Sequence, residues 1–226
     1  MTQMLTSTTI PPLESGDHLS RREFERRYHA MPHLKKAELI EGVVFVASPL
    51  RFHPHAKPHA QIMTWLGTYA ASTTGVEVGD NPTVQLDLDN EPQPDAVLFI
   101  ASGGQSRINT EGYIEGAPEL VVEVAASSAS HDLHAKKTAY RRNGVQEYIV
   151  WQVMDQKITW FKLIEDAYIE QVPDGNGILD SSIFLGLWLD VNALLQDDMS
   201  KVLSVLQQGI QSQEHQALVQ RLNPDS

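Results

Sequence analysis

Hydrophobic positions recur at helical spacing in four stretches of the chain. In the first stretch, Phe24 and Tyr28 share one face and follow Ser20 and Glu23, which have the spacing of a capping box. This pattern predicts a helix over 20–30. The other three predicted helices are 56–73, 131–144 and 200–222.

Short runs of apolar and β-branched residues predict strands between these helices. Glu41 and Gly42 predict the turn of a hairpin within 38–48. The further predicted strands are 83–89, 94–100, 118–124, 146–153, 157–163, 167–172 and 182–190, with Gly175 and Gly177 in the turn between the last two. Strands alternating with helices predict an α/β fold, bordering on α+β, in which a mixed β-sheet is flanked by helices.

The length of 226 residues favours one substantial domain with extensions at its ends. Residues 1–17 carry no periodic pattern and are interpreted as a flexible arm. The predicted domain is 18–195, and a helical extension is predicted over 196–226. The apolar stripe of this extension is accompanied by many glutamines, so it could pack on a partner chain as easily as on its own core.

Composition narrows the class of protein. With 17 Lys and Arg against 29 Asp and Glu, the net charge is −12, which argues against a polybasic nucleic-acid binder but leaves room for a local basic groove. The absence of cysteine excludes disulfides, thiolate zinc sites and a cysteine nucleophile. No secretory signal opens the sequence, and no apolar run reaches the roughly 18 residues that cross a bilayer. We therefore expect a cytoplasmic protein without a membrane partner.

Charge is distributed unevenly along the chain. Between 77 and 123 we count ten acidic residues against one basic residue, Arg107. Between 131 and 145 the balance reverses, because Lys136, Lys137, Arg141 and Arg142 face Asp132 alone. Acidic strands beside a basic helix could form a cation-binding centre with a phosphate-binding rim. A solvated helix face is the simpler interpretation of the charge pattern taken alone.

Two carboxylates interrupt apolar strands: Asp95 after Pro94, and Glu123. Burying a carboxylate costs several kcal/mol unless a cation or good donors compensate. If the two strands are neighbours, both side chains could bind one divalent ion, which would polarise a phosphoryl oxygen and acidify a water. A nearby lysine would orient that water or stabilise the developing charge.

Each of these residues also has a structural interpretation. Asp95 could cap a turn after Pro94, and Glu123 could pair with Arg141 or Lys136. Lys136 follows Asp132 by four residues, the spacing of an ordinary ion pair on a solvated helix.

A Pro-Asp at one strand, a Glu in a later strand and then a Lys together resemble the PD-(D/E)XK nuclease superfamily. Over about 20–165, the order of five segments resembles the Uma-type restriction endonuclease family. These segments are 37–49, His59-Ala60-Gln61, 93–100, 118–124 and 131–153. The resemblance implies a restriction-endonuclease-like core and cleavage of DNA phosphodiesters. It also implies Mg²⁺ or Mn²⁺ bound by Asp95 and Glu123, with Lys136 as the catalytic lysine.

The chain departs from the family pattern at two places. The usual superfamily lysine, two residues after the Glu, is replaced by Ala125, so the resemblance implies that the lysine has moved to Lys136. Lys137, about 100° around the helix, is the reserve candidate. The Ser-Pro that commonly follows the Glu is absent from 124–128, which loosens a turn that positions the helix.

Accessory roles follow from the same resemblance. Glu38 is a candidate for a further acidic group and His59 for a positioning residue, whereas Glu41 is interpreted as a turn residue. DNA is expected along the helix with Lys137, Arg141 and Arg142, and a homodimer would concentrate these bases in one groove. The histidine-rich stretches, with His53, His55 and His59 in one and His131 and His134 in the other, lack zinc-site spacing and predict surface or capping roles.

Two other functions remain open. A nuclease-fold module that does not cleave, and acts in binding or assembly, is favoured by Ala125, the altered turn and the acidic composition. Hydrolysis of a small acidic phosphoester is the weaker candidate, because no phosphate-binding loop is present in the sequence.

Overall fold

The computed structural model describes residues 10–47, 51–126 and 132–223. The strands that build the fold are short, and six of them form the largest sheet. They are β1 Ala37–Ile40, β2 Val43–Val46, β3 Val76–Asp80, β4 Val84–Gln85, β5 Ala96–Ile100, β6 Arg107–Ile108, β7 Ile114–Glu115, β8 Leu120–Ala125, β9 Glu147–Gln152, β10 Lys157–Ile164, β11 Ala167–Glu170, β12 Ile178–Asp180 and β13 Trp188–Asp190.

Six α-helices are described, and two of them continue directly from a π-helical turn. We call Phe52–Ala56 the first π-turn and Asp132–Lys136 the second π-turn. The helices are α1 Arg21–His29, α2 Lys57–Ala71, α3 Lys137–Arg142, α4 Val191–Leu195, α5 Met199–Ile210 and α6 Gln213–Leu222.

The central sheet is mixed, as predicted. Its six strands are ordered β11-β10-β9-β8-β5-β3. Within this sheet, β8 and β9 are the one pair of neighbours that run in parallel. The second π-turn and α3 lie in the connection between them. Antiparallel pairs join the remaining neighbours. The observed architecture is therefore the mixed α/β sheet flanked by helices that the sequence predicts.

Side chains of β8 alternate between the two faces of this sheet. Val122 and Val124 pack in the main core with Trp65. Val121 and Ala125 pack on the opposite face with Tyr140 of α3. Glu123 has the same parity as these last two strand residues, so it faces α3.

The C-terminal helices complete the main core. Val202 and Leu206 of α5 and Leu218 of α6 are buried in the same cluster as Trp65. The predicted helix 200–222 is in fact two helices, because the Ser212 hydroxyl accepts from the His215 amide and starts α6 there. The predicted boundary at 196 remains a prediction, although the described contacts cross it.

Part of the predicted N-terminal arm also packs against the domain. Of residues 10–17, Leu13 is buried beside Phe24, and the Gly16 amide donates to the Val44 carbonyl at 2.8 Å. Residues 1–9 of the predicted arm lie outside the described part of the chain.

Several element predictions are wrong in detail. Only Val84–Gln85 of the predicted strand 83–89 is extended, because the amide of Leu86 donates to the carbonyl of Asn90 and the chain turns. Strand β3 is present although no strand is predicted there. Of the predicted strand 182–190, only β13 is extended, and it pairs with β12. Ser20 precedes α1 without a capping hydrogen bond from its side chain.

Within the described ranges, no helix has the length and apolar character needed to cross a membrane.

Candidate active site

The two predicted carboxylates lie on neighbouring strands. Asp95 directly precedes β5, and Glu123 lies within β8, which pairs with β5 in antiparallel register through Ala96 and Val122. The amide of Val124 donates to Asp95 Oδ2 at 2.7 Å. The two strands are therefore neighbours, as a shared metal ion would require. The Asp95 carboxylate contacts the main chain at Val124, the residue after Glu123.

Lys136 reaches this place from the second π-turn. Its side chain is buried, with the residue only 3% exposed. The Nζ atom lies 2.8 Å from Glu38 Oε1, 3.0 Å from Glu123 Oε1 and 3.7 Å from Asp132 Oδ1. The Asp132–Lys136 pair anticipated on a solvated face is therefore a buried contact inside a carboxylate cluster.

Glu38 joins the cluster from β1. Its Oε1 atom accepts a hydrogen bond from the backbone amide of Gln93 at 2.8 Å, which fixes the carboxylate between the main chain at Gln93 and the ammonium of Lys136. Glu41 is instead the turn residue that was predicted, with φ of 52°. Its Oε2 atom pairs with Arg142 at 2.6 Å on the surface.

Tyr140 is a member of the site that sequence reasoning missed. Its hydroxyl donates to Glu123 Oε1 at 2.9 Å, so Glu123 is held by both an ammonium and a phenol. Asp132, Lys136 and Tyr140 follow one another at intervals of four residues. This spacing is the signal that could have identified the shared face, because residues four apart are neighbours on a helix.

Asp95 has a second set of partners that the sequence did not indicate. Its Oδ1 atom lies 3.3 Å from His55 Nε2 and 3.5 Å from Lys36 Nζ. His55 is 8% exposed, so the prediction of a surface or capping role for this histidine is wrong. The reason is the first π-turn, which directs the ring inward. In the described part of the chain, His55 Nδ1 has no hydrogen-bond partner.

The remaining predicted residues lie around the cluster. His59 Nε2 is 3.0 Å from the main-chain oxygen of Asp95 and 3.1 Å from Asp80 Oδ1, so it contacts the backbone of the site. Lys137 points away, with Nζ 3.7 Å from the centroid of the Phe161 ring. Arg141 donates to the carbonyl oxygen of Asp166 at 2.7 Å. Residues 127–131, which include the end of the altered turn and His131, lie outside the described chain.

Burial and the neighbouring charges together shift the pKa values of the groups in this cluster. Burial raises the pKa of Glu123; Lys136 opposes the shift, and Asp132 adds to it. Burial disfavours the Lys136 ammonium, but its carboxylate partners outweigh burial and hold its pKa well above the usual range. Burial also opposes ionisation of Asp95, yet His55 and Lys36 hold the pKa of this carboxyl well below its usual value. Lys136 is therefore protonated at neutral pH.

A divalent ion fits the chemistry of this centre if waters and substrate oxygens supply the ligands that the protein does not. Within the described residues, no three His, Asp or Glu side chains form a ready-made set of metal ligands. Mg²⁺ is commonly bound by one or two carboxylates, while waters and substrate phosphates complete the shell. Asp95 and Glu123 meet that requirement, and a divalent charge would offset the excess of buried carboxylates. The carboxylates concerned are Glu38, Asp95, Glu123 and Asp132.

Comparison with known families gives this geometry a context. The model of the Uma2 family, described as "Putative restriction endonuclease", matches residues 22–192, which is most of the chain. The chain belongs to this family. All the clustered carboxylates, Lys136 and Tyr140 lie within the matched residues.

A solved structure supports the fold assignment. The chain is similar to a crystal structure from Anabaena variabilis ATCC 29413, described as a putative nuclease belonging to DUF820, with a TM-score of 0.51 and 14% identity. The match covers 80% of this chain and 97% of that one, and it shows a common fold. No curated protein shows significant similarity to this chain.

Proposed function

We propose that this protein is a metal-dependent DNA phosphodiester hydrolase with Asp95, Glu123 and Lys136 at its centre. The observation that carries the proposal is the burial of Lys136 against Glu123 and Glu38, at 3.0 and 2.8 Å. Removing such charges from water costs several kcal/mol per ion, and well-packed hydrophobic residues are often as stabilising. A purely structural role therefore gives little reason for the cluster, whereas a hydrolytic centre needs these groups.

Each residue has a role that follows from its contacts. Asp95 and Glu123 would hold Mg²⁺ or Mn²⁺, which supplies Lewis acidity toward a phosphoryl oxygen and a water of lowered pKa. Lys136 is protonated, so it acts as a hydrogen-bond donor and not as the general base. Its ammonium would orient the attacking water or stabilise the charge that develops on the phosphate oxygens. Tyr140 and Glu38 position Glu123 and Lys136 for these tasks.

Ala125 is consistent with a displaced lysine. A lysine at this position would point to the same face of β8 as Glu123, since side chains two apart in a strand share a face. Ala125 is buried there in the cluster that contains Tyr140. The second π-turn brings Lys136 to Glu123 from above that face, which makes a lysine on the strand unnecessary.

DNA would follow the outward face of the same helical segment. A surface cleft of about 750 Å³ is lined there by His134, Lys137, Thr138 and Arg141, and its lining also includes the acidic residues Glu41 and Asp166, each of which contacts an arginine of this segment. Basic and hydroxyl side chains along one groove suit phosphate contacts even when the net charge of the protein is negative. Arg142 lies on the same segment, where it pairs with Glu41. A homodimer and a cytoplasmic location remain predictions.

Plasmid nicking tests the proposal. Wild-type protein with Mn²⁺ or Mg²⁺ should convert supercoiled DNA to nicked or linear forms, and chelation should stop it. Asp95→Asn and Lys136→Met should each lower the rate by about 100-fold or more. Lys157→Met provides the control for Lys136, because its ammonium pairs with Glu170 at the surface, outside the proposed site and cleft. Full cleavage by Asp95→Asn would refute the assignment.

A non-cleaving binding or assembly module is the second candidate. It is favoured by the lack of three side chains arranged as metal ligands within the described ranges. Calorimetry with Mn²⁺, in the presence and absence of DNA, separates the two functions. The hydrolase should bind Mn²⁺ at least when DNA is present, and Asp95→Ala with Glu123→Ala should abolish this binding. Intact folding and DNA binding without any Mn²⁺ binding would favour the module.

A further inference from the structure

A second buried carboxyl pair lies away from Lys136 and its partners. Glu91 pairs with Leu39 of β1 through two backbone hydrogen bonds, at 2.8 and 3.1 Å, so its position is fixed. Its side chain is buried, with the residue 4% exposed, and Oε2 has no hydrogen-bond partner among the described residues. The carboxyl of Glu25, on α1, lies within hydrogen-bonding reach of the Glu91 carboxyl.

These two carboxyls line a cavity of about 300 Å³, which we call the acid-pair pocket. Tyr28, Met31 and Tyr113 contribute aromatic and apolar walls. Glu111, an exposed residue, adds a third carboxylate to the lining. The pocket therefore combines negative charge with apolar and aromatic surface.

The Glu91 carboxyl is poorly supplied with hydrogen-bond donors, since its Oε2 atom has none among the described residues. Glu25 Oε1 accepts from Gln85 Nε2 at 3.1 Å and lies 3.2 Å from Arg21 Nε. The Gln85 and Arg21 side chains also lower the pKa of Glu91, but burial and Glu25 outweigh them. Burial, followed by the neighbouring Glu25, raises the pKa of Glu91 to about 8. Two carboxyls in contact must share a proton or a cation, because like charges at this distance disfavour double ionisation.

We propose that the acid-pair pocket binds a primary ammonium group carried on a short apolar chain. An ammonium supplies three N–H donors and a positive charge, which match the unpartnered Glu91 oxygen and the excess of carboxylates. The tyrosine and methionine walls suit the apolar chain and the face of a cation. A bare metal ion is the poorer ligand, since no three side chains in the described chain form a metal-binding set.

This binding is independent of the proposed hydrolysis. The acid-pair pocket shares no side chain with the cluster around Lys136. Gln93 lies between the two, because its amide nitrogen donates to Glu38 while its side chain donates to Tyr28 at 3.3 Å. Ligand binding and DNA cleavage can therefore succeed or fail separately in the same preparation of protein.

Titration with n-butylammonium, followed by two-dimensional amide NMR, tests the proposal. The neutral isostere 1-butanol has the same apolar chain without the charge. We expect saturable shifts that centre on Tyr28 and Tyr113, and an affinity for the amine at least about tenfold above that for the alcohol. Equal affinities, or shifts elsewhere in the protein, would overturn the proposal.

Glu91→Gln should weaken amine binding at least about tenfold, since the amide cannot give up a proton to become a carboxylate when the ammonium binds, and it presents its own N–H donors. Glu77→Gln removes the same charge from an exposed strand position and serves as the matched control. Glu25→Gln is the second variant, which keeps the test valid if the first fails to fold. Undiminished amine binding by both folded pocket variants would contradict the proposal. The rate of plasmid nicking should be unchanged in all three variants. A failure of the proposed hydrolase function would therefore be distinguishable from a failure of amine binding.

Discussion

Glu119 and Glu123 are two glutamates four residues apart, and each is 2% exposed. Glu119 accepts hydrogen bonds from two backbone amides, Ile100 at 3.0 Å and Gln105 at 2.7 Å. Glu123 accepts from two ionisable side chains, Lys136 and Tyr140, that come from a different element. The same residue type at the same depth therefore serves two purposes.

The difference lies in the partners and not in the burial. Backbone amides are neutral and fixed, so Glu119 fastens the loop after β5 to the start of β8. Glu147 acts similarly, because the Ser181 hydroxyl and the Ser182 amide and hydroxyl donate to it. Glu123 differs because one of its donors is an ammonium that also contacts Glu38 and Asp132, which is the arrangement that the proposed hydrolytic centre requires.

Lys136→Met should have the largest effect on the stability of the protein. The substitution leaves Glu38, Glu123 and Asp132 buried without their shared cation, so we expect a loss of about 3–5 kcal/mol in the free energy of unfolding. Lys137→Met, next in the chain, should lose about 1 kcal/mol or less, the worth of a partly exposed cation–π contact. Urea denaturation at neutral pH measures both. Equal losses would show that Lys136 is not the cation on which the cluster depends.

Exchanging each member of the glutamate pair for glutamine should separate activity from stability. Glu123→Gln should lower the rate of metal-dependent cleavage by about 100-fold or more, because the metal loses a charged ligand. Glu119→Gln should leave cleavage unchanged but lower stability by about 1–3 kcal/mol, because one buried amide loses its acceptor. Nicking rates and urea midpoints for both variants check this. A reversal of the two phenotypes would exchange the roles of the two glutamates.

The buried Glu91 carboxyl should make the stability of the protein depend on pH. With a pKa of about 8 in the folded state against an ordinary 4.5, the folded protein holds a proton that the unfolded chain has released. Stability from this group is therefore complete below pH 4.5 and declines as pH rises toward 8. Glu91→Gln should flatten that decline in urea titrations between pH 5 and 8. An unchanged slope would mean that Glu91 titrates normally.

Arg141→Ala should have the smallest effect on stability. Among the described residues, Arg141 donates its side-chain hydrogen bond to the exposed carbonyl of Asp166, so the unfolding free energy should change by about 0.5 kcal/mol or less. If DNA follows the cleft, the slope of log affinity against log salt should fall by about one. Arg107→Ala removes an equal charge at the exposed pair with Glu115 and should leave the slope unchanged. A shared change in slope would indicate nonspecific attraction.

The parts of the fold that sequence could predict are those that bury apolar runs. Strands β5 and β8 were predicted because their residues are nearly all apolar, as strands covered on both faces must be. Strands β9 and β10 were predicted as a hairpin around a short polar turn. Strand β3 was missed because Glu77, Gly79 and Asp80 dilute its pattern, and only pairing with β5 makes it extended. The turn after Gln85 was missed because alternating Leu86, Asp87 and Leu88 resembles a strand.

The site was predictable to the extent that its residues disturb a local pattern. Asp95 and Glu123 were found because they interrupt apolar strands, and Lys136 because the family resemblance points to it. His55 and Lys36 lie in polar stretches, where nothing local distinguishes a buried side chain from a solvated one. Tyr140 has the pattern of an ordinary core aromatic. Its spacing of four from Lys136 indicates a shared face, but the contact of its hydroxyl with Glu123 depends on the fold.

Both helices that bear on the site begin in a π-turn, one presenting His55 and the other Lys136. Such a turn contains one residue more than the α-helical turn it replaces, and π-turns are frequent at functional sites. The arrangement therefore depends on residue count as well as on residue identity. A relative that lacks one residue between Asp132 and Lys136 would keep every named side chain yet present its lysine in another direction. An alignment gap at that place is thus a sign of lost chemistry that a substitution table would not detect.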